Sequence, residues 1–253
     1  MKRIAIAIFL CLLFIPCVQA QKSKAMPSDI VIKFYQALKE KKYVEGFHLS
    51  VYRGAIEGLS AAEMKDLEPD FQRTFSAIPD KIEVKGEQIT GSTAVVFLKF
   101  EGIEKLEQVA LIAQGNEWLV GDQEALELVK EQGRDFFFNT RMVVNEAEAN
   151  EMLQRILNVE FVYASKFEGR NASLAELVKL QGLPKEIEDS ESSGYKFNLT
   201  LSDDKRSFYI HAVPTIYGKT GRLSFYADIQ GIHAEDLKGK PASNKSPMYE
   251  PKS

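Results

Sequence analysis

The side chains best suited to chemistry are few and scattered. Three histidines (His48, His211 and His233) and two cysteines (Cys11 and Cys17) are all that the 253-residue chain offers of those types. His48 falls near the end of a short helical segment with no evident partner, so a structural or exposed histidine accounts for it more simply than a general base. His211 alternates with Tyr209 on a strand, and His233 follows the last expected strand beside Glu235 and Asp236. Those two would hold a metal only if the fold brought them together. Asp203-Asp204 suits a calcium ligand pair or a hairpin turn, and the turn alone explains both residues. Asp66, Glu68 and Asp70 read as the solvated face of a helix. Tyr35, Tyr43, Tyr52, Phe71 and Trp118 could line an internal pocket, although aromatic residues at helical spacing belong more often to a core. Asn171, Asn198 and Asn244 each open a glycan acceptor triplet. No nucleophile–base pair, metal cluster or phosphate-binding loop stands out. We assign no catalytic, cofactor-binding or metal-ligating residue.

The ends of the chain bound where these groups work. Met1-Lys2-Arg3, an apolar run from Ile4 to Ile15, and small residues up to Ala20 describe a secretory signal peptide. The run is shorter than the roughly 20 residues that span a bilayer, and Pro16 before Cys17 argues against lipidation. Cleavage after Ala20 would remove both cysteines, leaving no disulfide and no thiolate metal site. It would also remove Lys2 and Arg3, so the mature chain carries a formal charge of −6. With no basic stripe, nucleic-acid binding has little electrostatic support. No later apolar run is long enough for a membrane span, and each domain must rest on its apolar core.

Two halves repeat one order of elements, helices first and strands after. In the first, Ser28 or Asp29 is placed to cap a helix carrying Ile30, Phe34, Ala37 and Leu38. A second helix is expected over 43–52. A capping box at Ser60–Glu63 opens a third, which Pro69 should break or kink. The period then shifts to two, predicting strands at 81–90, 93–101, 105–113 and 117–120, joined at Gly91, Gly102 and Gly115. Ile30-Val31-Ile32-Lys33-Phe34-Tyr35-Gln36-Ala37-Leu38 and the closing strand Asn116-Glu117-Trp118-Leu119-Val120 resemble the ends of the cone-shaped α+β fold of nuclear transport factor two and ketosteroid isomerase, in its exported bacterial branch. That resemblance implies a cone whose mouth is the place to look for a ligand or acid–base residues.

The connecting stretch Leu126–Arg141 holds Phe136-Phe137-Phe138, which reads as a connecting helix or loop packing both domains, with an exposed docking patch as the alternative. A helix should follow from Asn145 to about Ser165, then a short helix after the capping box Ser173–Glu176 and three strands at 194–201, 206–213 and 222–229. Asn145-Glu146-Ala147, Tyr163-Ala164-Ser165, Ser173-Leu174-Ala175-Glu176-Leu177, Ser193-Gly194-Tyr195-Lys196-Phe197 and Arg222-Leu223-Ser224-Phe225-Tyr226-Ala227-Asp228 come in the order of bacterial type IV pilin-like globular domains, which this half resembles. Pilins begin with a processing site and an apolar anchoring helix, and no such helix is expected before Asn145. The resemblance thus implies a pilin-like head used as a separate module. The last residues, rich in Lys, Pro, Ser and Gly, read as disorder.

The sequence therefore predicts a two-domain α+β protein, each domain having helices packed on an antiparallel sheet. Its parts are a signal peptide (1–20), a cone-like domain (28–125), a linker (126–142), a pilin-like domain (143–236) and a disordered tail (237–253). The function expected is non-enzymatic binding or assembly in a bacterial envelope or outside it, with a protein or small-molecule partner. The alternatives are a small apolar ligand bound or transformed in the first domain's cone, and a pseudopilin-like subunit of a secretion or pilus machine.

Overall fold

Local period decides the elements, and long-range pairing corrects them at several places. The structure is a computed structural model that describes residues 25–189 and 191–251. The expected signal segment and both cysteines lie outside the described residues. Helix α1 (Pro27–Lys39) carries a proline in its first turn, where a missing N–H removes no helix bond. No side chain caps it. The amide of Ser28, expected as a cap, donates instead to the Glu87 carboxylate 2.9 Å away. Two short helices, α2 (Tyr43–His48) and α3 (Arg53–Glu57), replace the single one expected over 43–52. The interruption has a cause: the Val51 amide donates to the Val120 carbonyl, and the Val120 amide to that of Leu49, so this segment joins the sheet edge.

Helix α4 (Ala61–Phe75) opens on the expected capping box of Ser60 and Glu63. It runs through Pro69, contrary to the expected break. Proline forfeits one helix bond there, while Leu67 and Phe71 on either side are buried and hold the helix down. Strands β1 (Ile82–Thr90), β2 (Thr93–Phe100), β3 (Glu107–Gln114) and β4 (Glu117–Val120) form an antiparallel meander in that order. Alternation is clearest on β2, whose Ala94, Val96, Leu98 and Phe100 all face the core.

Residues 126–142 are helical almost throughout. Helix α5 (Gln123–Gln132) and a short 3-10 turn lead directly into α6 (Phe136–Lys166), a single helix of 31 residues. It begins nine residues before the expected Asn145 because Phe136 and Phe137 are buried in the first core, packed on Phe47, Tyr52 and Phe71. Further along, Ala149, Leu153 and Ile156 enter a second core with Leu177, Phe197, Ile210 and Phe225. One helix therefore supplies side chains to both. Between those two stretches Arg141, with its side chain only 9% exposed, donates to the Asp70 carboxylate and to the Asp66 carbonyl, each at 2.6 Å. Lys219 also reaches Asp66 at 3.8 Å. The expected solvated face of α4 is thus exposed at Asp66 and Glu68, while Asp66 and Asp70 also pair with Arg141 of α6.

Helix α7 (Leu174–Lys179) follows its expected capping box. The second sheet has five strands in sequence order, β5 (Glu191–Ser192), β6 (Tyr195–Leu201), β7 (Phe208–Pro214), β8 (Ser224–Asp228) and β9 (Gly231–Glu235). The three expected strands are β6 to β8; β5 and β9 add one on each side. The tail then adds to the sheet edge. The Ala234 amide donates to the Pro247 carbonyl and the Tyr249 amide to that of Ile232, while the Tyr249 ring packs on Phe225. Ala242 and Ser246 are buried. The described part of the expected disordered tail is thus ordered, because its few apolar and hydrogen-bonding groups find partners on β9. Gly231 makes room for it: a Cβ there would meet the Met248 methyl at 2.7 Å. Among the described residues no helix is long and apolar enough to cross a membrane.

Candidate functional site

The five aromatic residues considered for a pocket in the first domain all belong to or pack against a single hydrophobic core, at different parts of it. Tyr43 and Phe71 lie 5.3 Å apart, ring to ring, and belong to one cluster with Phe47, Phe75 and Phe137. Tyr52 meets that cluster from its side through Phe47 and Phe136. Tyr35 packs at another part of the same core, on Phe34 and Phe100, and Trp118 is buried on β4. The concavities described below are lined by other residues. His48 is half-exposed and faces Glu57, with Nε2 3.9 Å from the carboxylate.

In the second domain the sheet register sets His211 opposite Tyr226, and Tyr226 opposite His233. The tyrosine ring stands between the histidines, 5.7 Å from one and 6.1 Å from the other. His233 Nδ1 is 2.7 Å from the Ser246 carbonyl of the tail. Among the described residues no group of three or more His, Cys, Asp or Glu is placed to hold a metal ion. Asp203 and Asp204 lie in the β6–β7 turn, where the Asp204 carboxylate accepts from the Ser202 hydroxyl and the Arg206 amide. Asn171 is buried and donates its side-chain amide to the Lys205 carbonyl, so that glycan triplet is occupied by the fold.

What the second domain does present is a groove at the end of its sheet farthest from the first domain. One concavity of about 420 Å³ lies between Leu157, Phe161 and Ala164 of α6 and Phe208, Asp228 and Ile229 of the sheet. A second, of about 310 Å³, continues over Thr200, Ser202, Ser207, Tyr209 and Tyr226. Arg206, Phe208, Asp228 and Ile229 line both, so the two join. The first alone is within the size range of small-molecule and side-chain sites.

Two apolar residues flank it in a way that packing does not require. Phe161 is 78% exposed, one residue past the buried stripe Leu153, Ile156, Glu160. Ile229 is 84% exposed at the tip of the two-residue β8–β9 turn, a position that polar residues or glycine usually take. The turn is held from below: Asp228 accepts the Gln230 amide at 2.7 Å and the Tyr226 hydroxyl at 3.0 Å. Burial, and then the Asp228 carboxylate, push the Tyr226 hydroxyl up to about 12, so it stays protonated and keeps donating at neutral pH. Arg206 differs from its neighbours. Its amide donates to the Asp204 carboxylate, and its guanidinium, without a direct hydrogen bond or salt bridge among the described residues, adds to the Ser202 hydroxyl in holding that carboxyl below its usual range.

No match is found among family models, curated proteins or solved structures. The groove must therefore be read on its own chemistry. It holds one cation, Arg206, one carboxylate, Asp228, two exposed apolar flanks and several hydroxyls. That set can bind and orient a ligand; its Ser202 hydroxyl donates to Asp204, whose carboxyl is held below its usual range by that bond. Sequence reasoning missed it because its members sit on α6, in the β6–β7 turn and in the β8–β9 turn. The one local signal was Ile229 between Asp228 and Gln230-Gly231, a large apolar residue inside a turn pattern.

Proposed function

We propose that this protein is an exported, non-enzymatic binding protein of the bacterial envelope, which engages its partner through the groove of the second domain. The observation that carries this is the pair Phe161 and Ile229, both mostly exposed and both lining one cleft. Exposed apolar residues clustered round a concavity mark interaction sites more often than chance exposure does. A pilin-like module in the second half and a cone-like one in the first agree with the long helix packed on an antiparallel meander and with the four-stranded meander of β1–β4. Export rests on the sequence from Met1 to Ala20. A ligand inside the first domain has less support, since the rings of Phe47, Phe71 and Phe137 lie about one ring-contact distance from one another, at 5.0–5.1 Å.

The test is site-specific photo-crosslinking in the producing cell, with the reactive residue placed at 161, at 229 and, as a control, at the exposed Val84 of the first domain. Adducts of one defined mass from 161 and 229, absent from 84, are expected. No adduct from either groove position, or the same adducts from position 84, would move the function away from the groove.

A further inference from the structure

Resting on the groove reading above, we infer that the partner in the groove is a second copy of this chain, docked about a two-fold axis. The charged side chains that line the two joined concavities are one cation, Arg206, and one anion, Asp228, and each lines both. They form no salt bridge with each other or, among the described residues, with any other side chain. Asp228 accepts the Tyr226 hydroxyl and the Gln230 amide, neutral donors that leave its negative charge in place. Arg206 also acts on Asp204, but that carboxylate is held by the Ser202 hydroxyl and lines neither concavity. A partner bearing one sign of charge would be attracted by one of the two groups and repelled by the other. The complement of this groove is an anion and a cation at the same separation, in reversed order. A two-fold rotation of the groove supplies that pattern, because an isologous contact sets Arg206 of each copy against Asp228 of the other.

The apolar parts match in the same way. Ile229 stands exposed at the tip of the β8–β9 turn, beside the concavity of about 420 Å³ that Leu157, Phe161 and Phe208 also line. Knob and socket lie on one face, so each copy can offer its Ile229 to the socket of the other. Docking of this kind would cover Phe161 and Ile229 together, the two residues whose exposure packing leaves unexplained. With so few anchors and two partly exposed ion pairs the interface is small, and the copies should exchange rather than stay permanently paired.

The experiment is sedimentation velocity on the exported chain from about 1 μM to about 1 mM, the range of weak pairwise affinities. A concentration-dependent rise from the mass of one chain to that of two is expected. Ile229→Lys and Phe161→Ser, both at exposed positions, should each hold the mass at one chain throughout. Arg206→Glu sets carboxylates against each other at both crosswise contacts and should weaken the dimer roughly three- to tenfold. Asp228→Lys should do the same with cations, and mixing these two variants should restore association, since opposite charges then meet at both contacts. Asp228 also holds the β8–β9 turn, so the mixing result counts once circular dichroism shows the Asp228→Lys fold intact; otherwise Ile229→Lys and Phe161→Ser decide. One-chain mass at every concentration, a dimer indifferent to Ile229→Lys and Phe161→Ser, or no gain on mixing folded variants would each overturn the inference. In the crosslinking described above, adducts from 161 and 229 at twice the chain mass support it. Adducts of any other mass overturn it and leave the groove reading standing, while no adduct from either position removes both.

Discussion

At the scale of single residues, Glu160 is the group most at odds with its setting. It continues the buried stripe of α6 after Ala149, Leu153 and Ile156, and its side chain is fully buried. Both carboxylate oxygens face the Ala172 amide, at 3.1 and 3.3 Å, so the carboxylate staples the turn between α6 and α7. Burial dominates and pushes its pKa up to about 7, with the Glu176 carboxylate adding to the rise and the amide opposing it. A carboxyl raised on folding stabilises most when protonated. Its contribution is complete below the unfolded value near 4.5 and disappears as pH climbs through 7. Denaturant melts at pH 5.5 and 8 should thus show the second domain weakening at the higher pH. Glu160→Gln should recover on the order of 3 kcal/mol at pH 8 and about half of that or less at pH 5.5. An equal effect at both values would mean that the carboxyl is not the titrating group. Sequence reading did not single out Glu160, because the amide that receives its carboxylate lies beyond a turn. Asn145 and Glu146 are a similar case. Their side chains latch Thr220, Arg222 and Leu223 ahead of β8, a contact spanning more than 70 residues that no local pattern carries.

At the scale of elements, alternation and turn glycines were enough to place β2, β4 and the three middle strands of the second sheet. They failed at the margins. The two residues of β5 are too few to show a period, and β9 and the tail pair through backbone groups in a stretch whose composition resembles disordered chain. The tail is nevertheless a working edge, since it covers the β9 backbone that would otherwise be free to pair with another chain. Ending the protein after Pro241 removes the Tyr249 ring, the Ser246 contacts to His233 and Glu235, and two backbone hydrogen bonds. The loss should be about 2–4 kcal/mol in urea unfolding, from one large ring and a few net hydrogen bonds. It should be accompanied by concentration-dependent association in sedimentation. Unchanged stability would mean that the strap contributes nothing to the sheet. The same logic covers Pro69: sequence gives the local cost of a proline, and the burial of Leu67 and Phe71 outweighs it.

At the scale of the molecule, the α+β class and the two-part order were legible, and the groove was not. Its residues come from three separate segments that only the closed fold assembles. The feature that organises the whole is α6, about 46 Å long at 1.5 Å per residue, with Arg141 in its second turn clamped to α4. Because both cores share this helix, heat should unfold the molecule in one calorimetric transition. A Gly-Ser-Gly insertion between the exposed Val143 and Val144 should divide that transition into two, since it separates the stretches that each core owns. Two transitions in the unaltered protein would show that the helix does not couple them.

The burial of Phe136 and Phe137 also bears on how the chain is made. Its first domain cannot complete its core when its last strand leaves the ribosome, because two of its interior rings have yet to arrive. By the time they do, they are the first turn of a helix whose far end belongs to the other domain. The protein thus has no natural resting point halfway: the step that finishes the first domain also begins the second.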